Sequence, residues 1–491
     1  MIGTYNTADV LHALPEVFLA VTAILVLILS FAAPKRRGWM ETLSVIAVVG
    51  AATLVIRDAI PLFRPDGSPV SVFSGMYLVD KFAVFFKMIF LLATLLVILM
   101  AVDYLPLVGV PVGEFYAILL FSTMGMMFIA SGGNLLSLYL GLETMSISLY
   151  ILCGFIKRDR KSNEAALKYL LMGAFSSGVI LYGIALLYGL TGTLGIKEIA
   201  VAVASRDLSN PALLLAMVML TAGFGFKIAA VPFHMYVPDV YEGAPTAVTA
   251  FLAVASEAAG VAALLRVFLG AIPHIQVNWT ILFWILSALT MTVGNVVAMS
   301  QDNIKRMLAY SSIAHIGYVL IGFVAGTKMG ISAVLLYVLV YAFMTAGAFA
   351  MVILLRTETV AGDLIDDFAG LSRVNPPAAF AMLIFLLSLT GIPPTAGFVG
   401  KFYLFSAAVD AGSWGIVLVL IAVINTAISL FYYMRVAMVM YMQEAPAALT
   451  LSSSRPLYVS LAFAVLGTLV IGVYPGPFME LAQASILGLG R

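Results

Sequence analysis

The chain has 491 residues, of which 63% are hydrophobic and only 10% are charged, with a formal net charge of +1. A soluble globular protein carries about 25% charged residues, so this composition indicates a polytopic membrane protein. The near-neutral charge excludes the basic footprint of a nucleic-acid-binding protein. The single cysteine, Cys153, excludes an internal disulfide and any multi-cysteine zinc or iron–sulfur site within the chain.

Apolar windows of about 20 residues, the length that crosses a bilayer as a helix, recur along the whole chain. They predict an all-α membrane fold of about fourteen transmembrane helices, at residues 14–33, 40–57, 83–102, 113–131, 134–156, 165–189, 211–236, 244–270, 278–299, 304–326, 330–355, 377–409, 412–441 and 456–479. The polar connections are too short for a soluble domain. We therefore expect a single membrane domain over residues 1–491.

Basic residues fall mainly on one side of this alternating series. They follow the first, fifth, ninth, eleventh and thirteenth spans, at Lys35, Arg36, Arg37, Lys157, Arg158, Arg160, Lys161, Lys305, Arg306, Arg356, Arg373 and Arg455. The positive-inside rule assigns these loops to the cytoplasmic side, which predicts that both termini lie on the outer, periplasmic side. The N-terminal stretch lacks the basic region of a cleaved signal peptide, so the first span is expected to be retained.

Two of the predicted spans are interrupted by proline. In the seventh span Pro232 follows Lys227, and in the twelfth span Pro393 and Pro394 precede Lys401. Proline removes a backbone hydrogen bond, and irregular backbone at membrane depth is tolerated only against protein or a wet cavity. Paired interrupted helices in two halves of a chain indicate an inverted repeat.

Ionisable side chains at membrane depth cost roughly 2.5–3.5 kcal/mol on insertion scales, so each is a functional candidate by default. Burial and nearby opposite charge draw pKa values toward neutrality, which proton transfer requires. The candidates for a proton pathway are Glu143, Lys168, Lys227, His234, Glu257, Lys305, His315 and Lys401. GFVGKF at 397–402 lacks the spacing of a phosphate-binding loop, and four scattered histidines do not indicate a metal site. We expect no catalytic or metal centre.

Several candidates also have purely structural interpretations. Lys168 lies four residues after Glu164, a spacing that allows an ordinary salt bridge on one helix face. An alternative interpretation of Lys305 is a positively charged anchor with no further role, and His234 and His315 can be satisfied core histidines. Three further basic residues near predicted helix ends are expected to snorkel and are given no role: Lys81, Lys87 and Arg266.

Three long segments, Phe224–Ser256, Asp302–Tyr318 and Gly391–Phe405, carry a family resemblance. They resemble the antiporter-like membrane subunits of respiratory complex I, the NADH–quinone oxidoreductase. The phrase PDVYEGAP and the lysine at position 401 favour the subunit N branch over subunits L and M and over Mrp-type antiporters. The resemblance extends over essentially the whole chain.

The resemblance implies two inverted five-helix repeats, spans 4–8 and 9–13, with helices 7 and 12 broken. It divides the domain into N-terminal helices at 1–112, a first repeat at 113–270, a second repeat at 278–443 and a C-terminal helix at 455–491. The function implied is that of a proton-translocating subunit, which couples quinone reduction in other subunits to proton pumping here.

The family's proton path maps onto residues of this chain. The resemblance implies Glu143 as the carboxylate partner of Lys227, Lys401 as the terminal exchanger, and Lys168, His234 and His315 as intermediates. One position departs from the pattern, because relatives usually carry a lysine where this chain has Glu257 in ASEAAG. A glutamate can still relay a proton, so we expect Glu257 to connect Lys227 to the second half.

The resemblance places FMN, the iron–sulfur clusters and quinone on other subunits and implies no cofactor in this chain. It implies other antiporter-like subunits and small membrane subunits as partners, with the lipid bilayer and protons, in a bacterial inner membrane. Three alternatives stay open at this point. They are an Mrp-type cation/proton antiporter subunit, the equivalent subunit of a hydrogenase-type or other donor-linked complex, and a scaffold whose buried charges only lock helices together.

Overall fold

A computed structural model describes residues 7–357, 361–445, 451–452 and 454–486. In these residues twelve helices are long and apolar enough to cross a membrane. Two shorter apolar helices, Pro211–Lys227 and Pro376–Thr390, lie where proline was predicted to interrupt the seventh and twelfth spans. The helical, multi-span character of the fold is therefore confirmed.

Twelve helices form the first part of the chain, up to the end of the eighth predicted span. They are α1 (Thr7–His12), α2 (Leu14–Ala32), α3 (Arg37–Leu62), α4 (Lys81–Leu107), α5 (Val112–Ala130), α6 (Leu135–Cys153), α7 (Arg160–Thr191), α8 (Ile196–Ala204), α9 (Pro211–Lys227), α10 (Val237–Gly243), α11 (Thr246–Phe251) and α12 (Glu257–Gly270).

Nine helices follow. They are α13 (Gln276–Ala298), α14 (Ile304–Ala325), α15 (Lys328–Leu355), α16 (Leu371–Val374), α17 (Pro376–Thr390), α18 (Ala396–Asp410), α19 (Ser413–Met442), α20 (Arg455–Val473) and α21 (Gly476–Ala484). The predicted positions of the two chain termini and of the connection at 446–450 lie outside the described residues.

Polar side chains begin many of the membrane helices. Each accepts a hydrogen bond from a backbone N–H that has no partner in the first turn, which is the usual role of an N-cap. The caps are Asp80, Asn134, Asp159, Asn210, Asn303, Thr327, Asn375 and Ser454. These residues lie between the predicted apolar windows or at their first residue.

The connections contain more structure than the sequence predicts. A two-stranded antiparallel hairpin, β1 (Val70–Val72) and β2 (Tyr77–Val79), occupies the predicted loop before α4. The amphipathic helix α8 fills the connection before α9, and α21 follows α20. The all-α prediction is therefore wrong at the hairpin. Two three-residue strands are too short to show as an alternating pattern.

Glycines bring two pairs of helices into close contact. A Cβ atom on Gly125 of α5 would lie 2.6 Å from the backbone nitrogen of Met145 in α6. A Cβ atom on Gly317 of α14 would lie 2.6 Å from the backbone nitrogen of Met291 in α13. Small residues at such contacts let membrane helices pack by van der Waals contact. The same packing thus occurs between spans four and five and between spans nine and ten.

The eighth predicted span is continuous from Thr246 to Gly270, but its winding changes in the middle. Residues Leu252–Ser256, between α11 and α12, form one π-helical turn that ends directly before Glu257. Such turns are rare and occur mostly as single insertions in α-helices, frequently at functional sites. The extra residue per turn changes the direction in which Glu257 projects relative to α11.

Candidate functional site

Lys227 is the last residue of α9, where the helix ends inside the protein. Its side chain is only 6% exposed. The Nζ atom donates hydrogen bonds to Ser146 Oγ on α6 at 2.9 Å and to Ser177 Oγ on α7 at 3.3 Å. Three helices therefore build this site, and the amine is held by hydroxyl groups.

Glu143 does not form a direct ion pair with Lys227. It lies one turn before Ser146 on α6, and its Oε1 atom is buried without a hydrogen-bond partner in the described part of the chain. The two charges still interact electrostatically. Glu143 and the Lys227 partner Ser146 thus lie on the same helix, one turn apart.

The interruption after Lys227 spans residues 228–236 and leads into α10. It contains the left-handed residue Ala229 and the cis peptide bond before Pro232. The backbone N–H of Val231 donates to Thr290 Oγ1 of α13 at 2.9 Å. His234 lies in this segment, largely buried, and its Nδ1 atom has no partner among the described residues.

Glu257 lies at the start of α12 and is only 5% exposed. Its Oε1 atom accepts a hydrogen bond from the Tyr241 hydroxyl of α10 at 2.7 Å and a second from the Ser312 hydroxyl of α14. Its Oε2 atom is buried and has no partner in the described residues. Glu257 therefore joins a helix of the first half to a helix of the second half.

His315 lies on α14, one turn after Ser312. Its Nδ1 atom lies 2.6 Å from the Tyr337 hydroxyl, and its Nε2 atom lies 3.2 Å from the Tyr433 hydroxyl. The Tyr433 hydroxyl in turn bonds Ser311. A buried imidazole between two hydroxyl groups can accept a proton on one side and release one on the other.

Lys401 lies on α18, after the second interruption, and is only 4% exposed. Its Nζ atom donates to the backbone carbonyls of Leu389 at 3.1 Å and Thr390 at 2.8 Å, at the C-terminal end of α17. It also lies 4.5 Å from the centroid of the Tyr318 ring. The carbonyl end of a helix and the face of an aromatic ring both stabilise a cation.

A cavity of about 470 Å³ borders Lys401. Its walls come from α18 and α19, and they are apolar except at Lys401, Ser406, Asp410 and Thr426. Gly391 also lines the cavity, with φ +93°, and a Cβ atom there would lie 2.9 Å from Lys401 Cδ. Gly391 thus provides both the left-handed turn and the space for the lysine stem.

A group of partly exposed charged residues surrounds the outer side of α10. We call it the ionic rim and define it as Lys161, Glu164, Lys168, Asp239, Glu242 and Arg306. Lys168 pairs with Glu164 at 2.7 Å and with Asp239 at 2.6 Å. Arg306 pairs with Asp239 at 2.8 Å and with Glu242 at 2.9 Å, and Lys161 pairs with Glu242 at 2.7 Å. Partly exposed pairs of this kind are each worth about 0–1 kcal/mol.

Two carboxyl groups of the rim, Asp239 and Glu242, lie outside the twelve long spans. Burial acts to raise the pKa of each, but hydrogen bonds from the rim cations outweigh burial and hold each pKa below its ordinary value. A lowered pKa contributes stability at neutral pH that is lost only as the pH falls through the lowered value. The rim is therefore ionised at neutral pH.

Lys305 lies directly under the rim and is buried. Its Nζ atom donates to the backbone carbonyls of Glu242 at 2.6 Å and Ala244 at 2.8 Å. It therefore holds the C-terminal end of α10. Lys168, by contrast, is partly exposed in the rim, so the structure separates it from the buried lysines.

Lys87 and Arg266 were predicted to snorkel, and that prediction is wrong. Lys87 is buried and pairs with Glu16 Oε1 at 2.8 Å, and its Nζ atom donates to the Tyr77 hydroxyl at 2.6 Å. Arg266 is buried and binds both carboxylate oxygens of Asp80, at 2.6 Å and 2.8 Å. The hairpin β1–β2 supplies Tyr77, so it covers a position that hydropathy places near a helix end.

The structure brings five of the predicted residues into three polar clusters. The first contains Lys227 and Glu143, the second contains Glu257 with Tyr241 and Ser312, and the third contains His315 and Lys401. Sequence reasoning missed the tyrosines that contact Glu257 and His315, which are Tyr241, Tyr337 and Tyr433. Tyrosine is common in membrane helices, and only its contacts distinguish these three.

Residues 131–429 match the family described as NADH:quinone oxidoreductase/Mrp antiporter, transmembrane. The chain is 46% identical to NADH-quinone oxidoreductase subunit N of Trichlorobacter lovleyi, over 98% of both chains. It is 43% identical to NADH-quinone oxidoreductase subunit N 2 of Solibacter usitatus, again over 98% of both.

Two solved structures are similar to this chain over nearly its whole length. A chain of respiratory complex I from Thermus thermophilus is similar with a TM-score of 0.80 and 32% identity, over 96% of this chain and 99% of that one. A chain of the Mrp complex from Dietzia sp. DQ12-45-1b is similar with a TM-score of 0.84 at 21% identity, over 98% of this chain and 97% of that one. The second likeness concerns the fold alone.

Proposed function

This chain belongs to the antiporter-like membrane subunits of NADH–quinone oxidoreductase, within its subunit N branch, and on that premise we propose that it moves protons across the membrane in step with quinone reduction elsewhere in the complex. The observation that carries the proposal is a set of buried ionisable groups with hydroxyl partners, which are Lys227 with its two serines, Glu257 with Tyr241 and Ser312, and His315 with two tyrosines. We propose that protons pass between these groups from Lys227 by way of Glu257 to Lys401.

Each residue has a part in this proposal. Lys227 takes a proton within its serine site, and the charge of Glu143 favours its protonated form. Glu257 receives the proton on Oε2, the oxygen that has no partner among the described residues, and His315 passes it on between its two tyrosines. Lys401 releases it toward the cavity that holds Ser406 and Asp410. Lys168, Lys305 and His234 border the path and tune it.

The two five-helix repeats are part of the proposal. Support comes from the matched glycine contacts of α5 with α6 and of α13 with α14, and from the matched interruptions after α9 and α17. We assign the first repeat to 113–270 and the second to 278–443, between N-terminal helices at 1–112 and a C-terminal helix at 455–491. Some residues of the outer two segments lie outside the described ranges.

We place the chain as a multi-pass protein of a bacterial inner membrane, with the ionic rim on the cytoplasmic side and both termini on the periplasmic side. Its partners are the other antiporter-like subunits and the small membrane subunits of the complex. FMN, iron–sulfur clusters and quinone belong to those other subunits. Electron transfer there supplies the free energy, and this chain supplies the proton path.

Proton pumping by the assembled complex in proteoliposomes, driven by NADH and quinone, tests the proposal. Lys227→Ala should lower the number of protons pumped per NADH oxidised several-fold, because the buried amine and its serine site are lost together. Lys81→Ala is the matched control, since Lys81 is only half-buried and lies against Phe63. Equal effects of the two substitutions would contradict the assignment of Lys227 to the proton path.

Two rival functions give different results in the same vesicles. A subunit of an Mrp-type antiporter would exchange protons for an added sodium gradient without NADH. A scaffold would lose assembly in Lys227→Ala, and Lys227→Arg, which keeps the charge, would restore both assembly and pumping. The proposal requires that Lys227→Arg assembles and still pumps poorly, because a guanidinium does not release its proton.

A further inference from the structure

The short helix α10 lies between the ionic rim and the buried carboxyl of Glu257. Its outer side carries Asp239 and Glu242, which make the ion pairs of the rim. Its inner side carries Tyr241, which donates to Glu257 Oε1 at 2.7 Å. One seven-residue element therefore touches both the charged surface and the centre of the proposed path.

We propose that α10 is a coupling element. The ion pairs of the rim set the position of α10, and α10 in turn places the Tyr241 hydroxyl that orients the Glu257 carboxyl. This inference rests on the proposed function and deepens it. Tyr241 is a positioning residue here, because it acts on the proton through Glu257.

The position of α10 depends on side-chain contacts. Residues 228–236 before it are not helical, and Ala244 after it is extended, with ψ 154°. No continuous helical hydrogen-bond ladder therefore joins α10 to α9 or α11. Its polar contacts are the rim pairs, the two hydrogen bonds from Lys305, and the bond from Thr249 Oγ1 to the Tyr241 carbonyl at 2.9 Å, and its buried residues Val237 and Val240 pack in the core.

The rim connects α10 to both halves of the molecule. Lys161 and Lys168 belong to α7 in the first half, and Arg306 belongs to α14 in the second. Lys161 is 69% exposed, so its pair with Glu242 can exchange with water or with a neighbouring charge. A change of charge at this surface can therefore shift α10 relative to α14.

The consequence for Glu257 follows from the geometry of its two oxygens. Tyr241 and Ser312 both donate to Oε1, so that oxygen is occupied as an acceptor, and the proton is directed to Oε2. If α10 moves, Oε1 loses one of its two donors and the preference between the oxygens weakens. The rim would thus control whether Glu257 presents its proton in the direction of transfer.

Tyr241→Phe tests the positioning role in the assembled complex. The substitution keeps the ring, which packs edge-on against Phe349, and removes only the hydroxyl donor. We expect a several-fold fall in protons pumped per NADH oxidised. Tyr116→Phe is the matched control, since Tyr116 is also buried but its hydroxyl has no partner in the described residues, and it should pump like the parent.

A double-variant cycle tests the link to the rim. We call the number of protons pumped per NADH oxidised the pumping ratio. Asp239→Asn should lower the pumping ratio of the parent chain. It should have no further effect in the Tyr241→Phe background, because both substitutions act on the same hydrogen bond. If the two effects multiply, the rim does not act through Tyr241, and the inference is wrong. If Tyr241→Phe fails to assemble, Asp239→Asn in a Glu257→Gln background gives the same test with the same expectation.

Lys227→Ala in the same assay separates this inference from the proposed function. If Lys227→Ala lowers the ratio and Tyr241→Phe equals the parent, only the coupling role of α10 is overturned. If neither changes the ratio, the proposed proton path itself is wrong.

Discussion

Gly391 shows how one residue can set the place of a charged side chain. Its φ of +93° favours glycine, and its missing Cβ leaves room for the stem of Lys401. The lysine then reaches the carbonyls of Leu389 and Thr390. Without that room its ammonium would leave the helix end that stabilises it.

We expect Gly391→Ala to lower the pumping ratio several-fold more than Gly192→Ala. Both glycines follow the end of a helix in the left-handed conformation, so each substitution costs about 1–2 kcal/mol of backbone strain. Gly192 has φ +73° with no described atom within 4 Å of an added Cβ, whereas the Cβ at 391 meets Lys401. Proteoliposome pumping measures the difference. Equal losses would mean that backbone strain, and not the placement of Lys401, explains the effect.

Glu257 supports a second prediction at the residue scale. Glu257→Gln keeps an oxygen that can accept from Tyr241 and Ser312, but an amide cannot carry the proton. The pumping ratio should fall several-fold while the complex assembles. The matched control is Glu114→Gln, since Glu114 also accepts a serine hydrogen bond, from Ser30 at 2.8 Å, away from the path. If Glu257→Gln pumps like the parent chain, Glu257 does not carry the proton.

Among the elements, the N-terminal helices and the hairpin are joined by a buried ion pair. Glu16 on α2 is 0% exposed, and its partners are Lys87 on α4 and Tyr77 on β2. A buried pair adds little to stability as a whole, but removal of one partner leaves an uncompensated charge. This cluster therefore makes the packing of α2 on α4 sensitive to a single substitution.

Lys87→Met should destabilise the chain by about 3–5 kcal/mol, because Glu16 stays buried without a cation. The measurement is thermal unfolding of the detergent-solubilised complex, monitored as the loss of this subunit from the complex. Lys81→Met, on the same helix but only half-buried, should have little effect. Glu16→Gln combined with Lys87→Met should recover most of the loss. If it does not, the pair is not what stabilises this contact.

Several elements were predictable from the sequence because they depend on one-dimensional signals. Proline next to a buried lysine located the interruptions after α9 and α17, and apolar windows located the long membrane helices. The contact of Tyr241 with Glu257 was not predictable, since it depends on the turn between α10 and α11 and on the π-helical turn before Glu257. The cover over Lys87 was missed for a similar reason, because a short hairpin has no hydropathy signal.

For the whole molecule, the main question is whether its two halves carry protons together or separately. Glu257 bonds Tyr241 of α10 and Ser312 of α14, and the proposed path uses this position to connect the cluster at Lys227 with the cluster at His315 and Lys401. The matched glycine contacts indicate two similar halves, but similarity alone does not distinguish one connected path from two independent ones. Sequence could suggest the repeat, whereas the connection needed the side-chain contacts.

If the path is connected, substitutions of Lys227 and Lys401 should not have additive effects. Lys227→Ala and Lys401→Ala should each lower the pumping ratio, and the double variant should pump about as poorly as the worse single variant, because a series path is already interrupted. Independent half-channels would instead give losses that add. The same proteoliposome assay measures all three variants, with Lys81→Ala as the control for expression and assembly.

The buried cations also have an order along the chain. Five lysine and arginine side chains are buried in the described residues, Lys87, Lys227, Arg266, Lys305 and Lys401. Every hydrogen-bonding or ion-pair partner given above for them is an earlier residue, from Glu16 for Lys87 to Thr390 for Lys401. During synthesis each cation thus emerges from the ribosome after the groups that will hold it. Insertion into the bilayer therefore never has to wait for a later segment to supply one of these partners.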